Sequence, residues 1–179
     1  MPQIELTSEL QSRQAFRKTN MTRLYGRAKC GLRMVDDAPG GHWHTTTMIS
    51  SLRLGGSTTC MVVDGATDKD VFGTYVQHFL VPTLKAGDIV VLDNLSAHKH
   101  ADAIAMIESV GAAVWFLPSY SPDLNPIEKM WSKVKQFLRS AKARTRDVLT
   151  KAIADALETV TTHDAQAWFN SCGYQSTIC

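Results

Sequence analysis

The chain has 179 residues, 44% of them hydrophobic, which suits one domain with a real core. No apolar run approaches the roughly 20 residues that span a bilayer, the N-terminus lacks a basic-then-apolar leader, and the four cysteines (Cys30, Cys60, Cys172, Cys179) lack zinc-ligand spacing. These features argue against a membrane protein or a zinc module and predict a cytoplasmic chain with free thiols. The net charge of +2 hides segregation: residues 13 to 33 and 129 to 146 each carry seven Lys and Arg and no acid, the footprint of a polyanion binder or of two solvated surfaces.

Residues 1 to 12 show neither period nor apolar face, so a loose arm is expected over 1–15. Asp36-Asp37 and the following Ala-Pro-Gly-Gly read as a loop, and His42 and His44 flank Trp43. Residues 45 to 54 and 58 to 63 are β-rich runs joined at Gly55-Gly56, a hairpin. Thr67 or Asp68 then caps a helix whose apolar positions Val71, Phe72, Tyr75, Val76, Phe79 and Leu80 keep helical spacing up to Pro82. Ile89-Val90-Val91-Leu92 is continuous and apolar, as central strands are. A helix over about 101–110 closes at Gly111, and 113–117 reads as a second buried strand, so right-handed crossover and parallel pairing follow. Two prolines make 118–123 irregular. Leu124, Ile127, Trp131, Val134 and Leu138 mark the apolar stripe of the next helix, and helices over about 145–159 and after Thr162 finish the chain. The fold class predicted is α/β, a mixed sheet flanked by helices.

Two carboxylates stand out. Asp93 closes the central apolar run, at the strand end where open α/β sheets bind ligands, although an Asx turn would also explain it. Glu128 lies in the first turn of the helix opened by Asn125-Pro126; it matches a capping box, yet it borders the apolar stripe and so faces the sheet. With 34 residues between them, the two acids can converge at one sheet edge, where their repulsion invites a cation. His98 and His100 follow Asp93 closely, but histidines two apart in a loop favour surface or hydrogen-bonding roles. Asp64 ends a strand in an Asp-Gly turn.

The segments Val91-Leu92-Asp93-Asn94-Leu95-Ser96-Ala97-His98 and Leu117-Pro118-Ser119-Tyr120-Ser121-Pro122-Asp123-Leu124-Asn125-Pro126-Ile127-Glu128 resemble the transposases of mariner-related bacterial insertion sequences, the DDE superfamily, over about residues 16 to 176. The resemblance implies a ribonuclease-H-like catalytic domain in which three carboxylates hold Mg2+ or Mn2+. Asp93 and Glu128 would be the second and third of them. It implies DNA (transposon ends and target) as partner, a homo-oligomer that can include full-length transposase, and DNA contacts from Asn94, His98, Lys99, Asn125, Lys129, Lys133 and Arg139. Counting back from Lys18, the first carboxylate's place falls at Arg13, which cannot ligate a metal, so the first strand is expected to be missing or degenerate and the chain to be N-terminally truncated. The function expected is therefore metal-dependent cleavage and strand transfer of DNA, impaired by loss of the first carboxylate. A catalytically inactive DNA-binding or interaction remnant, or an unrelated ribonuclease-H-like nuclease, are the alternatives.

Overall fold

In the computed structural model, which describes residues 4–10 (backbone only), 27–33, 46–141 and 145–174, five strands form one mixed sheet. They are β1 (Ile4–Leu10), β2 (Thr46–Arg53), β3 (Thr58–Asp64), β4 (Ile89–Leu92) and β5 (Ala113–Phe116), in the order β3-β2-β1-β4-β5. The hairpin expected at Gly55-Gly56 is present, β2 and β3 pairing antiparallel from Thr46↔Asp64 to Leu52↔Thr58. Gly56 sits at φ +85°, and a Cβ there would lie 2.8 Å from the Thr162 backbone nitrogen, so this turn needs glycine for both reasons.

The first correction concerns the N-terminus. Residues 4–10 are not a loose arm: they form β1 at the centre of the sheet, antiparallel to β2 and parallel to β4. The strand that the resemblance suggested was missing is therefore in place, and β4 has a ladder on both sides. A segment with weak intrinsic patterning becomes a strand here because two neighbours take up its backbone groups. Residues 13, 36, 37 and 42–44 lie outside the described residues.

Alternation along the strands builds two cores. On one face Met48, Leu52 and Val91 pack against α3 (Pro126–Ala141), α4 (Arg146–Glu158) and α5 (Thr162–Ser171), with Trp131, Val134, Leu138, Ile153 and Phe169 buried between them. On the other face Ile49, Val90 and Leu92 meet α1 (Lys69–Tyr75) and α2 (Ala101–Ser109) through Phe72, Tyr75, Ala103 and Ile107. Strands clad on both faces read as continuous apolar runs, which is why Ile89–Leu92 does. Helix α1 starts on Asp68, whose carboxylate accepts from the Asp70 and Val71 N–H groups, and passes into a π-helical turn over Val76–Leu80 before Pro82. Thr145 caps α4, and Thr161 caps α5 in a reciprocal box with Asp164.

The second correction is β5. Its apolar run does not mark a buried strand: it is an edge strand, with Trp115 57% and Phe116 41% exposed. Among the described residues, no helix is long and apolar enough to cross a membrane.

Candidate active site

Strand β4 carries an aspartate at each end, and the C-terminal one opens the site. Pairing of β4 with β5 continues one residue further through the Leu117 N–H, which donates to the Leu92 carbonyl at 2.8 Å, so the chain leaving β5 starts beside Asp93. From there residues 118–125 fold back and deliver the N-terminus of α3. The result is a cleft of about 380 Å³ with Asp93, Asn94 and Leu95 on one wall, Ser119 and Tyr120 on the rim, and Asn125 and Glu128 on the other wall. The two sequence-predicted carboxylates thus line one cavity.

Asp93 is held in one orientation. His98 is fully buried, its ring centroid 4.3 Å from that of Phe72 at a tilt of 37°, and its Nδ1 lies 2.5 Å from Asp93 Oδ1. The Leu95 N–H donates to the same Oδ1 at 3.2 Å. Both contacts converge on one oxygen, which restricts the carboxylate's rotation and leaves Oδ2 for the cleft. The Asx turn expected as the plain explanation of Asp93 is therefore real, and the residue does more besides. His98 is corrected from a DNA contact: with no exposed surface it cannot touch a duplex and acts on Asp93 instead.

Glu128 is not a capping residue. The Asn125 N–H, which a capping box would direct at the Glu128 carboxylate, donates to the Pro122 carbonyl at 3.0 Å, inside the short turn Pro122–Leu124. The carboxylate faces the cleft. Burial raises its pKa above the usual glutamate value, the charge of Lys135 lowers it, and the charge of Asp93 raises it again. Burial and a like-charged neighbour both favour relief by a proton or by a cation. A divalent ion with hard oxygen ligands fits that donor set. Among the described residues, no third His, Cys, Asp or Glu joins these two in a metal-sized cluster.

Strand β1 runs beside Asp93. Its parallel register with β4 runs from Ile4↔Ile89 to Thr7↔Leu92, so the next step sets Ser8 level with Asp93 and Glu9 one residue beyond. Asp64, the other acidic strand end, lies on β3 at the sheet's far edge and is ion-paired with Arg146 at 2.8 Å, which removes it from the site.

The basic candidates divide. Asn94 donates from Nδ2 to Ser119 Oγ at 2.7 Å and ties the two walls together, while Lys99 is exposed at the end of the short turn Ser96–Lys99. Asn125 is buried at the start of α3. Lys129 hydrogen-bonds Ser171 Oγ. Lys133 is engaged within the fold: its ammonium donates to the Thr159 carbonyl at 2.6 Å and to Asp164 Oδ2 at 2.7 Å, locking α3 to the start of α5. Lys135 was missed. It lies seven residues after Glu128 and Arg139 eleven, so at about 100° per residue both return within about 20° of the Glu128 direction and form a basic track running away from the carboxylates. Lys133, five residues on, points about 140° aside. The spacing was legible in the sequence once Glu128 was read as facing the cleft.

The sequence matches the family model described as DDE superfamily endonuclease over residues 14–150. A search of curated proteins finds no match. Among solved structures, the chain is similar to a pre-cleavage Mos1 transpososome, with a TM-score of 0.76 at 13% identity, covering 94% of this chain and 52% of that one. The mariner Mos1 paired end complex with Mg gives 0.70 at 13% identity, covering 95% and 51%. The catalytic core domain of BIV integrase gives 0.55 at 12%, covering 96% and 98%. At such identities the likeness is one of fold, and the chain spans about half the length of the Mos1 chains it matches.

Proposed function

Since the chain belongs to the DDE superfamily endonucleases, we propose that it is the catalytic domain of a transposase, cleaving and transferring DNA phosphodiesters with the help of Mg2+ or Mn2+. The observation that carries this reading is the convergence of Asp93 and Glu128 on one cleft from a strand end and a helix start. Asp93 and Glu128 would hold the ion. When bound, a divalent cation supplies charge neutralisation at the scissile phosphate and an activated oxygen nucleophile. His98 and the Leu95 N–H keep Asp93 turned so that its free oxygen meets the cleft, a second layer of support of the kind that metal sites depend on. Lys135 and Arg139 receive the phosphates flanking the scissile one, as the basic track on α3 supports. The partners are transposon-end and target DNA, and copies of the same chain or of a longer transposase.

Turnover is reduced, because Arg13 stands where the resemblance places the family's first carboxylate, and on β1 Ser8 is level with Asp93, leaving Glu9 as the acid at that end of the strand. The test is Mn2+- or Mg2+-dependent nicking of terminal-repeat DNA by the purified chain, compared with Asp93→Asn, Glu128→Gln and Glu9→Gln. Slow nicking that both Asp93→Asn and Glu128→Gln abolish is expected. Nicking that survives both substitutions would sink the assignment. A loss in Glu9→Gln as deep as theirs would make Glu9 a full third ligand and remove the impairment.

A further inference from the structure

The rim of the cleft carries a residue that neither the cores nor the carboxylates explain. Tyr120 has φ +59°, the one positive φ at a non-glycine residue among those described, and its side chain is fully exposed at 102%. A left-handed backbone is unfavourable for any residue with a Cβ, and a phenol ring standing in water gains nothing from packing. Glycine would take this position with less strain, so local physics argues against tyrosine here. Strain kept at a site that borders a cleft is a pointer to function.

The loop that presents the ring is anchored from both sides. Ser119 Oγ accepts from Asn94 at 2.7 Å, next to Asp93, and the Leu124 carbonyl accepts from the Tyr174 hydroxyl at 3.0 Å, tying the far end to the residues after α5. Pro118 just before the first anchor and Pro122 between the two restrict the backbone. An aromatic ring carried on an anchored backbone therefore stands at the mouth of the cavity that Asp93 and Glu128 line. Exposed rings beside a phosphate-binding cleft bind nucleobases by stacking, which needs no particular base because every base has a π-face.

We propose that Tyr120 stacks on the nucleobase adjoining the phosphodiester that enters between Asp93 and Glu128. The proposal rests on the phosphodiester reading above. It makes Tyr120 a substrate-positioning contact that acts through its ring and not its hydroxyl. Stacking an unpaired base beside the scissile bond fixes the phosphate's position and favours a frayed or single-stranded nucleotide over one kept in a duplex.

The experiment titrates the full chain with a single-stranded 12-nucleotide DNA carrying one 2-aminopurine, whose fluorescence falls when it stacks, with the probe base moved along the strand in a set of oligonucleotides. Wild type and Tyr120→Phe should quench the probe at the same position with similar affinity. Tyr120→Ala should lose the quench and bind about 5- to 100-fold more weakly. Tyr120→Gly should lose binding to the same degree while raising the unfolding temperature, because it relieves the positive φ. Wild-type binding with an unchanged quench in Tyr120→Ala overturns the stacking role and leaves the phosphodiester reading standing. A lowered unfolding temperature in Tyr120→Gly overturns it too, since the side chain would then be structural. No binding by the wild type in any oligonucleotide overturns both readings.

Discussion

The two aspartates that bracket β4, five residues apart, meet opposite fates. Asp88 is buried and satisfied: its Oδ2 accepts from Arg53 at 2.9 Å and from the Lys85 N–H at 3.0 Å, and the same guanidinium nitrogen donates to the Thr83 carbonyl at 2.6 Å. Asp93 is a quarter exposed, keeps one oxygen for the cleft, and faces a second carboxylate whose pKa it raises. One end of the strand is a closed electrostatic lock. The other is an open pair of like charges, a poor way to stabilise a fold and a good way to hold a cation. A carboxylate's meaning at a strand end is set by the charge that the rest of the fold brings to it.

Breaking the lock should have the largest effect. Arg53→Ala leaves Asp88 buried without its cationic partner, and urea unfolding should show a loss of about 3–5 kcal/mol. Asp93→Asn, at the other end of the strand, removes one of two repelling charges and should stay within about 1 kcal/mol of the wild type. Similar losses for both would mean that the two ends do the same job, and the contrast would fail.

The next effect in size separates orientation from bulk at the open end. His98→Ala removes the donor to Asp93 Oδ1 and should weaken Mn2+ binding, read by electron paramagnetic resonance, about 10- to 100-fold. His98→Asn, which can place an amide N–H near the position of Nδ1, should recover part of that loss. Equal affinity in all three proteins would make His98 a packing residue only.

Much of this contrast was legible in the sequence, and its gaps have physical causes. The runs that a helix or strand needs locally were readable: Ile89–Leu92, the stripe from Ile127 to Leu138, and the cap at Asp68. Strand β1 was not, because Ser8 interrupts the short apolar series Ile4, Leu6 and Leu10 and the strand depends on ladders to two distant segments. β5 misled for the converse reason: an apolar run of four does not say whether another strand lies beyond it. At the site, Asp93 and Glu128 were readable from strand end and helix start. The burial of His98 was not, since it follows from the short turn Ser96–Lys99 folding the ring onto Phe72. Nor was the engagement of Lys133 by an acid 31 residues away.

A smaller effect is expected in the pH dependence of stability, with opposite signs at two acids. Asp164, pulled well below the usual aspartate range by its hydrogen bonds from Lys133 and Thr161, contributes stability that is present above its unfolded pKa and lost as pH falls. Glu128 is raised, chiefly by burial, so its contribution is present below its unfolded value of 4.5 and is lost as pH rises through the folded pKa. Thermal unfolding from pH 3 to 8 should therefore show a shallower acid-side loss in Asp164→Asn and a relative gain towards neutral pH in Glu128→Gln. Adding Mn2+ should restore the wild type at neutral pH and leave Glu128→Gln little changed. The same pH profile in both variants would contradict the assignment of one acid to the lock-like class and the other to the open site.

The smallest effect tests which cations on α3 belong to the open end. Each phosphate contact removed should flatten the slope of log K against log salt by about 1. Arg139 lies on the Glu128 side of the helix and is half-buried, so Arg139→Ala, and Lys135→Ala with it, should each flatten the slope by that amount. Lys133 is tied to Asp164 and Thr159, so Lys133→Ala should lower the unfolding temperature and leave the slope alone. That pairing of readouts decides between a basic surface that attracts DNA wherever it is charged and a track in which position along one helix face matters. If Lys133→Ala flattened the slope as much as Arg139→Ala, net charge alone would govern binding, and the direction of Glu128 would cease to define a path for the phosphates.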